Sequence, residues 1–181
     1  MRLQIAGFAP AERDEDAVGL LLACHARIRY FTDVARRIAE GPALPPEQLR
    51  DAAARVRRYF DEALPLHAED EDQSLAPRLL ALQLTDELRT AVETMVRQHG
   101  PIDETLAALV PHWRTLEQEP SRQPALAAEL RQLTAALQAH WDEHLALEEE
   151  VVFPAVRRLL EVGEQRQVLK ELRARRAPRA R

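Results

Sequence analysis

Two stretches of the chain carry a histidine followed four residues later by a glutamate: His67–Glu71 and His144–Glu148. On a helix, that spacing puts both side chains on one face, one turn apart. An imidazole nitrogen and a carboxylate oxygen presented together suit a metal ion of borderline hardness. The stretches agree beyond this pair, since Pro77 lies ten residues after His67 and Pro154 ten after His144. Upstream, His25-Ala-Arg-Ile28 and His99-Gly-Pro-Ile102 share His-x-x-Ile. His25 precedes His67 by 42 residues and His99 precedes His144 by 45. The chain reads as one unit written twice, each copy with two histidines and one glutamate.

Four long helices are expected to carry these residues. Asp14, Glu15 and Asp16 suit a helix start, since acids complement the positive end of the dipole. A first helix over about 14–40 has the inward stripe Val18, Leu21, His25, Ile28, Thr32, Ala35. Gly41-Pro-Ala-Leu-Pro-Pro46 ends it and opens a second, which runs to about 82 with the stripe Leu49, Ala53, Val56, Phe60, Ala63, His67, Glu71, Ser74. Pro65 and Pro77, lacking amide donors, should bend it. Thr85-Asp-Glu caps a third helix carrying Leu88, Val92, Met95, His99, Ile102, Leu106, Leu109, Trp113 and Leu116, with a kink expected at Pro101. After Glu119–Pro124 a fourth carries Leu126, Leu130, Leu133, Leu137, His140, His144, Leu147 and Val151. Steps of three and four alternate in all four stripes, as in bundle seams. The expected fold is all-α: an antiparallel up-down-up-down four-helix bundle over 14–162. It follows an irregular lead-in over 1–13 and precedes a short helix and basic tail over 163–181. From Lys170 to Arg181 there are six basic residues and one acid, read as a solvated, frayed end.

In such a bundle, residues at one depth lie symmetrically about the loop joining their helices. The midpoint of His25 and His67 is 46, that of His67 and His99 is 83, and that of His99 and His144 falls between 121 and 122. Each lands on or beside a connection marked independently by Gly, Pro or a capping Thr. One histidine per helix therefore faces inward at a common level, with Glu71 and Glu148 one turn away. Burying four imidazoles and two acids without a cation would be costly, so the set is read as a metal site. His140, one turn before His144 on the same seam, is a possible further ligand. His112 is thirteen residues beyond His99, about 20 Å along a helix, and is placed on the surface. The Glu-x-x-His motif of ferritin-like di-iron bundles is absent: Leu22, Leu64, Val96, Leu109, Leu137 and Trp141 stand three before the six histidines.

Composition narrows the function classes. The 181 residues are 46% hydrophobic but only 4% aromatic, which favours helix. A net charge of −5 predicts no general attraction to nucleic acid. Cys24, the only cysteine, excludes an intramolecular disulfide and a cysteine-based metal site. With no apolar run of roughly 18 residues and no convincing signal-peptide core, a cytoplasmic protein with no membrane partner is expected.

The repeated His-x-x-x-Glu, together with Glu149-Glu-Val-Val-Phe-Pro154, resembles the hemerythrin-like, or HHE cation-binding, family, over nearly the whole chain. The resemblance implies an antiparallel four-helix bundle holding two non-haem irons, His25 and His67 on one, His99 and His144 on the other, with Glu71 and Glu148 bridging. Two departures set the chain nearer to the bacterial single-domain relatives than to the oxygen carriers of the family. Asp103 stands where the carriers have a further histidine, and is a possible ligand. Glu148 follows its histidine by four residues rather than five. The resulting reading is a di-iron protein that binds, senses or stores oxygen or a related small ligand such as nitric oxide. A di-iron enzyme acting on peroxide or nitric oxide, or supplying iron for iron-centre repair, is one alternative. A partner-binding signalling module is the other.

Overall fold

The computed structural model describes residues 16–41 and 44–177. The lead-in over 1–13, Asp14 and Glu15, and the last four residues of the basic tail lie outside them. The described residues form helices: α1 Ala17–Glu40, α2 Pro46–Arg58, α3 Pro65–Asp70, α4 Ala76–Leu80, α5 Asp86–Gln118, α6 Gln123–Leu147, α7 Phe153–Leu159 and α8 Val162–Arg176. α1 packs on α2 and α6, and α5 packs on α2 and α6, so the four long helices close a ring in chain order. This is the antiparallel bundle that the sequence implies.

The boundaries have local causes. The Asp16 carboxylate accepts a hydrogen bond from the Gly19 amide at 2.6 Å and caps α1. A Cβ at Gly41 would stand 2.5 Å from the Arg37 carbonyl oxygen, which leaves glycine to end that helix. Thr85 caps α5 through the Leu88 amide at 3.3 Å. α5 then runs unbroken through Pro101, the site of the expected kink, and through Pro111.

The second and fourth bundle helices depart from a plain α-helix. Three π-helical turns interrupt them: Tyr59–Ala63, Glu71–Leu75 and Glu148–Val152. The residue before each nearby proline, Leu64, Ala76 or Phe153, donates its amide to the carbonyl five residues back. The proline ring would otherwise press on the carbonyl four residues before it, and the wider turn makes room. Each extra residue shifts the stripe by one. Leu64, not Ala63, is therefore buried in the second helix, and Val152, not Val151, in the fourth.

Two apolar layers result. The first gathers Ile28, Leu49, Val56, Phe60, Leu109, Trp113, Leu116, Leu130 and Leu137 toward the α1–α2 and α5–α6 connections. The second gathers Leu21, Leu75, Leu79, Val92, Met95, Phe153 and Val156, and α8 completes it with Val168 and Leu172, both fully buried. Up to Ala177, the basic end is thus not the solvated tail expected from its charge. Arg175 and Arg176 of α8 hold the buried Asp70 carboxylate at 2.8 and 2.5 Å. Glu171 accepts from Ser74 Oγ at 2.7 Å and pairs with Arg78 at 2.7 Å. Charge in this helix is spent on partners in the second bundle helix, which composition alone does not reveal.

Candidate metal centre

The polar residues that the sequence singles out lie between the two apolar layers. His25 comes from α1, His67 from α3, His99 from α5 and His144 from α6. Glu71 and Glu148 each open a π-helical turn, so the repeated unit is repeated in backbone conformation as well. Such turns often mark functional positions in helices. His25, Glu71, His144 and Glu148 are fully buried, His67 is 2% exposed and His99 is 8% exposed.

Each glutamate faces two histidines from different pairs. Glu148 Oε2 lies 2.9 Å from His25 Nε2, and its Oε1 lies 3.0 Å from His144 Nε2. Glu71 Oε1 lies 3.2 Å from His67 Nε2, and its Oε2 lies 3.1 Å from His99 Nε2. The six residues form two groups, His25–His67–Glu71–Glu148 and Glu71–His99–His144–Glu148, each with ligand atoms within 4.8 Å of one another. Both glutamates belong to both groups. His140 is half-buried and in neither group. Asp103 is exposed and also in neither; it lines a cleft that has His99 in its wall. His112, half-buried, faces Glu129 at 3.3 Å, away from both.

Three imidazoles are oriented from behind. His25 Nδ1 lies 2.7 Å from Glu149 Oε1, His99 Nδ1 lies 3.1 Å from Asp72 Oδ1, and His144 Nδ1 lies 3.1 Å from Gln98 Oε1. An ionised carboxylate or an amide oxygen can only accept, so Nδ1 carries the proton and Nε2 turns its lone pair inward. These orienting residues are not picked out by the sequence reading. A signal was available, because Asp72, Gln98 and Glu149 are the chain neighbours of Glu71, His99 and Glu148. Each serves a histidine on an adjacent helix. Arg29 shares Glu149 at 2.8 Å. Burial raises the Glu149 carboxyl, but Arg29 and His25 outweigh it and hold it low.

The electrostatics separate the two central acids. Burial, and then Glu148 nearby, push the Glu71 carboxyl well above the usual range. Burial acts the same way on Glu148, but the His144 and His25 imidazoles beside it outweigh burial and hold that carboxyl below the usual range. A protonated Glu71 can donate from Oε2 to the lone pair of His99 Nε2. Burial keeps His67 neutral, with a pKa well below the ordinary value, and lowers His99 in the same direction. Neutral imidazole is the form that binds metals.

The donors fit a cation on another count. His25 Nε2, His144 Nε2, both His67 ring nitrogens, Glu71 Oε1 and both Glu148 oxygens are buried without a hydrogen-bond partner. Several lie within 3.2 Å of an opposite group, yet none is directed as a hydrogen bond requires. Buried polar atoms in native proteins are rarely left so. A set of nitrogens and oxygens with no thiolate suits iron and similar divalent ions rather than soft ones. Cys24, the one thiol, is buried but outside both groups.

The family model described as the hemerythrin HHE cation binding domain matches residues 16–156, and again 90–176. The first span covers all six donors, and the second covers the later copy of the repeated unit together with α8. No curated protein matches the chain.

Proposed function

The chain belongs to the hemerythrin HHE cation binding domain family, and from that premise we propose that it holds two non-haem irons and binds, senses or stores oxygen or a related diatomic ligand. The family binding is of metal cations, and the chain carries clusters able to hold them. In this reading His25 and His67 serve one iron, His99 and His144 the other, and Glu71 and Glu148 touch both. The observation that carries the proposal is the sharing of the glutamates, each with one oxygen toward either histidine pair. Two irons held there would supply one-electron redox chemistry and bind a diatomic ligand.

The chain's own residues set the conditions. Glu149, Asp72 and Gln98 fix the histidine tautomers. The apolar layers on either side limit water. Phe153, stacked on His25 at 5.1 Å, closes the side nearest α7. Binding requires Glu71 to give up its proton, so cation uptake by this site releases protons.

The test is optical. Protein loaded with ferrous iron without oxygen, then exposed to oxygen and depleted of it again, should change its visible absorption and return. Irreversible oxidation, with steady consumption of added peroxide, would instead favour the enzyme reading.

A further inference from the structure

A cleft of about 470 Å³ opens on the α3–α5 side of the bundle, and His67, His99 and His144 are in its wall. Its apolar lining includes Leu64, Ile102, Leu106 and Trp141. Every ionised side chain lining it is acidic: Asp61, Glu69, Asp72 and Asp103. The chain has 25 lysines and arginines, yet none lines this cleft. Arg57 reaches Asp61 at 3.5 Å and offsets that charge in part, so Glu69, Asp72 and Asp103 dominate the mouth. Asp72, 41% exposed, also touches His99 Nδ1 and so spans the distance from solvent to a buried donor. His67, 2% exposed, sits in the same wall and is unpartnered at both ring nitrogens. It also differs from the other three imidazoles in having no orienting group at Nδ1.

Resting on the metal-binding reading, we propose that this cleft is the entry route by which a divalent cation reaches the six buried donors, with Glu69, Asp72 and Asp103 drawing it in. The two apolar layers close the donor level at both of its ends along the bundle, so an incoming ion needs an opening between helices that reaches the donors. Three further clefts, at the α1–α2 connection, beside α7, and around Tyr59, have none of the six in their walls. An acidic mouth over low-dielectric walls focuses field on a cation and raises its arrival rate. His99 is the most exposed of the four histidines, so such an ion meets it first. The apolar floor offers it nothing to rest on until it reaches the imidazoles. Asp103 thus has a role in loading while standing outside both donor groups.

An entry route governs rate and leaves equilibrium untouched, and the test uses Co2+ alone as a coloured divalent probe of the apo chain. Glu69→Gln/Asp103→Asn should slow Co2+ uptake about fivefold or more at 10 mM salt, with dissociation rate and final stoichiometry as in the parent. The difference should shrink at 0.5 M salt, where charges a few ångströms apart are screened. Glu47→Gln/Asp51→Asn removes the same charge about 30 Å away along the second bundle helix, and should take up Co2+ at the parental rate. Ala107→Trp, which fills the cleft, should slow uptake at either salt concentration. Parental uptake by both cleft variants, or equal slowing by the distant pair, would overturn the route. A parent chain that takes up no Co2+ would overturn the metal reading, and the route with it.

Discussion

Among the single residues, Glu148 and Asp103 offer the sharpest contrast. Glu148 is fully buried with an oxygen toward each histidine pair, whereas Asp103 is exposed at the cleft. Glu148→Ala should remove most of the bound metal, because one carboxylate serves both positions. Asp103→Ala should leave metal content at saturation unchanged. Metal analysis of the two variants beside the parent decides it, and equal loss in both would make Asp103 a ligand. Gln98 tests the orienting shell. Gln98→Ala removes the acceptor that holds the His144 proton at Nδ1 and should lower metal affinity about tenfold to a hundredfold, measured by competition with a chelator. The six candidate donors were legible in the sequence because histidine and glutamate four apart recur at matching distances. The orienting residues were not, because each lies beside a donor but serves another helix, and a single strand of sequence carries no sign of that crossing.

For the elements, the alternation of three and four placed the histidines at one level correctly. Along α6 it missed Trp141 and Leu145, which are buried while His140 is only half-buried, and it slipped wherever a π-helical turn adds a residue. Proline marked those places, but not the form the backbone would take. Val151 is 38% exposed and Val152 fully buried for this reason. α8 was misread for another: its basic residues suggested solvation, while Val168 and Leu172, four apart, were the apolar face. Leu172→Ala should cost about 2–5 kcal/mol, seen as a lower denaturation midpoint; no change would mean that α8 contributes nothing to the core. The ionic side of the contact depends on pH. The Arg78 hydrogen bond holds the Glu171 carboxyl at about 2, below its ordinary 4.5. A depressed folded-state pKa adds stability above about 4.5, and that stability is lost as pH falls through about 2. The Tm of the parent should therefore fall more steeply between pH 4.5 and 2 than that of Glu171→Gln, and parallel profiles would refute the pairing.

Over the whole molecule, the bundle is a frame that holds a polar layer between two apolar ones. Leu75 and Leu79 on one side, Leu109 and Trp113 on the other, are fully buried. Their packing keeps six ligand-type side chains at one depth. α8 ties itself to the residues around Glu71 through Asp70 and Ser74, so the end of the chain supports the centre. No helix among the described residues is long and apolar enough to cross a membrane.

The central claim is that both histidine pairs bind metal through shared glutamates. Metal content per chain after iron-replete expression and purification without chelators tests it most directly. The account predicts about two irons per chain in the parent, and loss of both together in Glu148→Ala. One iron or fewer in the parent would contradict it.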